Sequence, residues 1–301
     1  MKLETLTNCP VCNGKIFEPF LEVRDHSVSH GTFHIVKCKK CGFLFTNPRP
    51  TEDSIASFYD SSGYISHHDD TDSLMSKVYG QVRKIAVKSK LDLLKRYDQH
   101  QEKKILDIGC GTGFFIKSCL DQHWQVSGTE PDNDARSAAR KRTNLPIYSS
   151  VFDPNLEETQ FTSITMWHVL EHIHRLDETM LWLYQHLAPK GTLFIAGPNP
   201  QSYDSQGFGK HWAAYDVPRH LYHFTKDTME KLLQHYNFTI VDLKCMVFDS
   251  YYVSLLSNQY KNKSSRPLSS IITGTLSNIK GFGTNTHNAN TSSIIYIAHK
   301  K

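Results

Sequence analysis

The chain has 301 residues, a formal charge of +4 and 39% hydrophobic residues, enough for one substantial domain and a small one. So slight a basic excess, without a concentrated Lys/Arg stripe, argues against a dedicated nucleic-acid binder. No window approaches the roughly 18 consecutive apolar residues of a membrane span, and the opening Met1-Lys2-Leu3-Glu4-Thr5 lacks the apolar core of a secretory signal.

Residues 1–50 read as a small zinc-ribbon-like module. Cys9-Pro10-Val11-Cys12 and Cys38-Lys39-Lys40-Cys41-Gly42 are two C-x-x-C pairs about 25 residues apart. Four thiolates in this pattern suit a tetrahedral Zn²⁺, and a full set of four cysteines leaves no open position, so the expected ion is structural. A module this poor in apolar residues needs such a staple. Strands are expected near 16–23 and 32–36, with His26, His30 and His34 on a solvated hairpin. Seven cysteines, an odd number with four in the two pairs, point to metal binding in a reducing, cytoplasmic compartment rather than to disulfides.

Residues 51–100 read as a helical cap or linker. Pro50-Thr51-Glu52-Asp53 is a helix-start signal, and Ile55, Phe58 and Tyr59 follow at helical spacing. The polar, glycine-containing stretch 60–72 interrupts the pattern. Helix resumes near Leu74 and runs to Leu94, with Val82, Ile85, Leu91 and Leu94 on an apolar stripe.

From residue 101 strands and helices alternate, the pattern of a parallel sheet covered on both faces. Strands are expected at 104–108, 125–129, 146–148, 163–167, 191–196, 239–246 and 294–298. Helices are expected near 114–122, 132–142, 176–187 and 226–236. The first strand runs straight into a glycine-rich turn, and a second short strand ends in Glu130 about twenty residues later. A strand, a tight turn, a helix start and a distal carboxylate form a site for an adenosine-containing ligand. Gly109, Gly111 and Gly113 give G-x-G-x-G, with Phe114 where a dinucleotide fingerprint needs its third glycine. The turn therefore suits an uncharged ribose and an amino-acid tail better than a pyrophosphate, which disfavours a dehydrogenase.

These residues, "LDIGCGTGFF" and "VSGTEPD", resemble the first two motifs of the class I S-adenosylmethionine-dependent methyltransferases. The resemblance implies an α/β fold, a Rossmann-like seven-stranded sheet whose last strand is antiparallel, in a domain spanning 101–301. It implies that Asp107 supports the turn and the methionine moiety and that Glu130 accepts from the ribose hydroxyls. It also implies that 51–100 caps the cofactor site, where Tyr59 and Tyr64 either line the substrate side or, as the more ordinary role, pack in the core. Residues 247–293, rich in Ser, Asn, Lys and Gly, read as a variable, partly mobile insertion.

The strand 163–167 leads directly into His168-Val169-Leu170-Glu171-His172. On a helical turn His168, Glu171 and His172 share a face. H-x-x-E-H matches the inverted zinc-peptidase motif, but that motif needs a long helix and a third ligand. A cofactor-edge segment fits better, with Trp167 and His168 at the cofactor, because ligands of open α/β sheets bind beyond the carboxyl ends of the strands. A polar helix start without chemistry is the third reading. The "LEH" triplet resembles ubiquinone-pathway O-methyltransferases, in which Glu-x-x-Glu-His holds a divalent metal. Mg²⁺ is therefore a candidate ion, although His168 replaces the first Glu.

Farther on, Trp212 to Thr225 gathers two histidines, an arginine and several aromatics before a helix that Thr225 caps. A loop so rich in ionisable groups is costly to order unless it lines a site. "PRHLYHFT" resembles the His-rich loop of zinc-containing sugar C-methyltransferases, which share the N-terminal zinc module and have a histidine at the position of His172. They carry Glu-His where this chain has Arg219-His220, and their additional C-terminal domain is missing here. The expected reaction is methyl transfer to a small-molecule acceptor, oxygen favoured over carbon. His220 or His172 serves as general base and Arg219 steers an anionic group. No oligomeric state is implied. Two other functions fit parts of the chain. One is an RNA base methyltransferase, though Lys37, Lys39 and Lys40 make only a small phosphate footprint. The other is an interaction protein that binds cofactor without turnover.

Overall fold

The structure, a computed structural model, describes residues 2–59, 74–157, 159–263, 267–282 and 289–301. Tyr64 and the stretch 60–72 lie outside the described residues. Residues 3–50 form five short strands, β1 (Leu3–Glu4), β2 (Phe17–Arg24), β3 (Thr32–Cys38), β4 (Leu44–Thr46) and β5 (Arg49–Pro50). In β3 the alternation of Thr32 and His34 outward with Phe33 and Ile35 inward is the period-2 pattern of a half-buried strand. It pairs antiparallel with β2, from Phe17 opposite Cys38 to Arg24 opposite Thr32, and with β4. A fourth strand, Tyr222–His223, adds to the other edge of β4. The first fifty residues thus share a sheet with a distant part of the chain rather than closing on themselves. Inside this sheet Val23, Phe33, Ile35 and Leu44 pack with Phe58, Trp212, Tyr215 and Val217. The helix expected after Pro50 is a single 3-10 turn, Ile55–Phe58, because Phe58 is its only buried residue and offers no continuous apolar stripe.

Next come α1 (Leu74–Tyr97), β6 (Lys104–Ile108), α2 (Phe114–Leu120), β7 (Gln125–Thr129), α3 (Asn133–Thr143), β8 (Ile147–Tyr148), β9 (Phe161–Trp167), α4 (Leu176–His186) and β10 (Leu187–Pro198). They are followed by α5 (Tyr203–Phe208), β11 (Tyr222–His223), α6 (Lys226–His235), β12 (Phe238–Cys245), α7 (Val247–Asn262), α8 (Pro267–Gly281) and β13 (Ser293–Lys300). Seven strands make one mixed sheet in the order β12-β13-β10-β9-β6-β7-β8. β6 is parallel to both β7 and β9, and β7 to β8.

The chain divides into two compact units. One holds 2–59, His168–Asp177 and Ile195–Ile297, and the other 74–167, Glu178–Phe194 and Ala298–Lys301. In the second unit β9 is buried along its length although it carries Thr162, Ser163 and Thr165. Each hydroxyl has a carboxylate: Thr162 Oγ1 and Ser163 Oγ donate to Asp98 Oδ2 at 2.6 and 2.9 Å, and Thr165 Oγ1 to Asp107 Oδ1 at 2.6 Å. A central strand tolerates these groups only because all are satisfied.

Val247–Asn262 and Pro267–Gly281, expected as part of a partly mobile insertion, are the helices α7 and α8. The buried side chains of α7 are Ser250, Ser254, Ser257 and Asn258. An inward face built from serine and asparagine lacks the apolar periodicity from which an amphipathic helix is read.

Two glycines should respond to alanine with opposite signs. Gly113 has φ +82°, and a Cβ there would lie 3.0 Å from Ala139 Cα and Cβ. Gly113→Ala is expected to lower stability by about 1–3 kcal/mol. Gly80 lies within α1 with no atom within 4 Å of its Cβ position, and Gly80→Ala should raise stability by about 0.5–1 kcal/mol. Urea unfolding of the two variants measures both.

Candidate active site and metal centre

β6 ends at Ile108, and Gly109, Gly111 and Gly113 all take positive φ, at 68, 55 and 82°. This backbone region is open to glycine at little cost, so the spacing read from the sequence is the spacing the turn requires. Cys110 N–H donates to Thr129 O at 2.9 Å and Gly111 N–H to Glu130 Oε2 at 2.8 Å, tying the turn to the end of β7. The other Glu130 oxygen accepts from Asp132 N–H at 3.0 Å. Burial pushes the Glu130 carboxyl up, against the pull of these two amides. The Cβ position of Gly111 faces open space, leaving room beside the turn and the acid. Asp107 lies fully buried under the turn, and burial pushes its carboxyl up to about 7 although Thr165 and Lys90 pull it down. Trp167 packs edge-on against Phe115, with Lys90 Nζ 4.5 Å from its ring centroid. The indole Nε1 is buried without a partner. An orphan donor, a carboxylate and a glycine cradle suit an adenosine-bearing ligand.

The histidines belong to the other unit. His168, directly after β9, has φ +59°, a sparsely populated conformation for a residue with a Cβ. Its Nε2 meets Asp249 Oδ2 at 2.7 Å and its Nδ1 lies 3.4 Å from Glu171 Oε1. Burial opposes charge on the ring, but Asp249 and Glu171 hold it protonated up to about 10. Burial opposes charge on Glu171 too, yet His168, His220 and His172 hold this carboxyl down to about 2. His168 is therefore a fixed cation, and Asp249, which no sequence signal linked to the motif, is the group that holds it.

Leu170–His172 is a 3-10 turn, and it carries His172 to His220, ring centroids 4.6 Å apart at 78°. His172 Nδ1 lies 3.0 Å from Tyr59 Oη and 3.1 Å from Arg219 O. A carbonyl only accepts, so Nδ1 carries the proton. The same argument applies to His220 Nδ1, 2.9 Å from Ala214 O, and leaves Nε2 of His220 as the atom with a lone pair. The loop is pinned from below: Thr46 Oγ1 donates to His220 O at 2.7 Å, and His223 Nε2 lies 3.3 Å from that hydroxyl. Glu171, His172 and His220 each offer a ligand atom within 4.8 Å of the others. His168 is not one of this set. Two imidazoles and one carboxylate do not suit Mg²⁺, which takes oxygen ligands and several waters.

Arg219, expected to meet an anionic substrate group, is turned inward. Its guanidinium donates from Nε and Nη2 to the two Asp216 oxygens at 3.0 and 2.6 Å, from Nη2 to Asp25 Oδ1 at 3.1 Å, and from Nη1 to Phe58 O at 2.9 Å. With its donors taken in this way, it orders the loop that bears His220.

The four cysteines converge as their spacing predicts. Cys9 and Cys41 Sγ are 3.6 Å apart, as are Cys12 and Cys38, and all four lie within 4.8 Å of one another. Tetrahedral Zn–S bonds of about 2.3 Å place sulfurs about 3.8 Å apart. A Cβ at Gly14 would stand 3.1 Å from Cys38 Sγ and 3.3 Å from Cys12 Sγ, so a larger residue there would press on two of the four sulfurs. Lys40 Nζ and Lys231 Nζ donate to the carbonyls of Cys12 and Cys41.

The sheet order, the glycine turn and the distal acid define a class I S-adenosylmethionine-dependent methyltransferase. A family model described as a methyltransferase domain matches residues 80–243, over half of the chain, and the chain belongs to that family. It is similar to the ubiquinone biosynthesis O-methyltransferase of Rickettsia bellii, 22% identical over 164 residues, which cover 51% of this chain and 68% of that protein. It is also similar to the Rickettsia typhi protein of the same name, 24% identical over 177 residues, 55% and 70% of the two chains. Among solved structures, magnesium protoporphyrin IX methyltransferase from Synechocystis PCC 6803 with bound SAH shares the fold. Its TM-score is 0.53 at 13% identity, covering 83% of this chain and all of that one.

The buried histidines set an acid limit on stability. Burial, reinforced by the neighbouring His220, pushes His172 down to about 4 and His223 to about 3, from an ordinary 6.5. An unfolded chain takes up protons at these rings as the pH drops below 6.5, while the folded chain does not until near 4 and 3. Stability is therefore present above pH 6.5 and lost through this window. The Tm should fall between pH 7 and pH 4.5, and that of His223→Gln should fall less, as followed by circular dichroism.

Proposed function

We propose that this methyltransferase acts on an oxygen of a small-molecule acceptor, with His220 as general base. The observation that carries the reading is the His220 tautomer: with Nδ1 spent on the Ala214 carbonyl, Nε2 is left to accept a proton. His172, held down to about 4 by burial and by His220, is assigned to the wall of the site. S-adenosylmethionine, when bound, supplies a methyl group on a sulfonium and so needs no further activation. Asp107, Gly109, Gly111, Gly113, Glu130 and Trp167 are assigned to hold it.

His220 Nε2 would take the acceptor proton while the oxygen bonds to the methyl carbon and the methyl–sulfur bond breaks, leaving S-adenosylhomocysteine, and the imidazolium would then release that proton to solvent. Arg219 is a positioning residue, fixing the loop through Asp216 and Asp25. His168 is assigned to hold Glu171 and the 3-10 turn in place, not to touch cofactor. The similarity to ubiquinone biosynthesis O-methyltransferases supports oxygen as the acceptor atom. The test is His220→Ala with an acceptor found by a labelled-methyl screen. The expected loss in kcat is about 10²–10⁴-fold with S-adenosylmethionine affinity retained. Full turnover by this variant would refute the base, and loss of cofactor binding would place His220 in the cofactor site.

Zinc at Cys9, Cys12, Cys38 and Cys41 is proposed on the same footing, supported by the sulfur spacing. Burial pushes the Cys41 thiol up to about 11, and a divalent cation offsets the cost of ionising such a group. The purified protein should carry about one zinc per chain by elemental analysis. Cys12→Ser should lose most of it and lower the Tm.

A further inference from the structure

The helix α8 is packed inside out against α7. The buried positions of α8 are Ser270, Gly274, Ser277, Asn278 and Gly281. Its large side chains point away: Leu268, Ile272 and Ile279 are 77, 60 and 65% exposed, and Ile271, Leu276 and Phe282 are exposed as well. The contact between the helices is close, since a Cβ at Gly274 would stand 2.7 Å from the Tyr251 ring. It is also bridged by hydrogen bonds. Ser250 Oγ donates to Asn278 Oδ1 and Asn258 Nδ2 to Ser270 Oγ, both at 2.9 Å. Ser277 Oγ reaches Asp204 Oδ1 at 2.7 Å.

A surface helix in water normally has the opposite arrangement. Small residues at the helix contact, hydrogen bonds across it and large aliphatics outside are what an apolar surround favours. The outward residues recur every three or four positions over fifteen residues, a continuous stripe about 22 Å long. That length is short of the roughly 30 Å hydrocarbon core, and no described helix is long and apolar enough to cross a membrane. Such a helix lies along a bilayer. Charge selects the kind of surface. After Asp249 the sequence contains no acidic residue to its last position, 301, while the exposed Lys261 and Lys263 precede the stripe in the chain and the exposed Lys280 lies within it. Two copies meeting on this face would bring cation to cation, whereas an anionic surface complements it.

We propose that α8 seats this enzyme on an anionic lipid bilayer, with the stripe from Leu268 to Phe282 inserted at the headgroup boundary and the neighbouring lysines on lipid phosphates. The full chain should float with vesicles of phosphatidylcholine mixed with phosphatidylglycerol, float less with phosphatidylcholine alone, and be released by salt. The double variant Ile272→Ser, Ile279→Ser should partition at least about tenfold less while S-adenosylmethionine affinity, measured in parallel, stays unchanged. Lys261→Glu, which leaves the stripe intact, should weaken binding to the anionic vesicles alone. The proposal is overturned if the protein floats with neither vesicle, or if both variants float like the parent. It is equally overturned if light scattering shows a dimer in solution that the double variant dissociates, which would assign the stripe to a second copy.

Discussion

The guanidinium of Arg219 is the interaction on which the histidine site depends. It joins Asp25 of the hairpin loop, Asp216 of its own loop and the carbonyl of Phe58, and it is itself buried. Taking a guanidinium and the Asp25 carboxylate out of water, with Asp216 only half-buried beside them, is expensive, and only near-complete hydrogen bonding offsets the cost. Asp25 meets that demand with further bonds from the amides of Ser27 and Ser29 and the Ser29 hydroxyl. Removing the cation would strand carboxylates among apolar side chains, a penalty of about 3–5 kcal/mol for a broken buried pair. The residue before His220 is therefore the least free part of the loop.

A second layer of constraint concerns protons. Three histidines of the same site hold different states for identifiable reasons. His168 is charged because Asp249 and Glu171 face it. His223 is neutral because it is buried beside another imidazole, with the Thr46 hydroxyl at its Nε2. His220 has its tautomer fixed by a carbonyl. The differences come from partners supplied by four separate stretches of chain, so the division of labour belongs to the fold and not to the local motif.

That is also why the chain was legible in some places and opaque in others. The strand–turn–acid unit is local: buried apolar residues, glycines at positive φ and Glu130 lie within about 25 residues, and each has a mechanism readable in one dimension. The four-cysteine cluster is legible because metal-ligand spacing survives folding. Arg219 read as a substrate contact because its two carboxylates are remote or unremarkable in sequence. β11 was missed because two residues form a strand only when β4 is already there to pair with. α7 and α8 are hard to read because the fully buried positions are serine, glycine and asparagine, while the large aliphatics of α8 face outward.

The pairing of β4 with β11 has a practical meaning for anyone dissecting the polypeptide. The span matching the family, 80–243, contains the glycine turn and the histidines of the candidate active site. It omits Asp25, Thr46, Phe58 and Asp249, the four residues that hold Arg219, His220 and His168. Excision at the family boundaries would thus yield a fragment with every side chain of the candidate site, and with Ala214, Glu171 and Asp216, but without the partners that come from outside that span. The N-terminal fifty residues act less as an appendage than as a wall of the loop that bears His220.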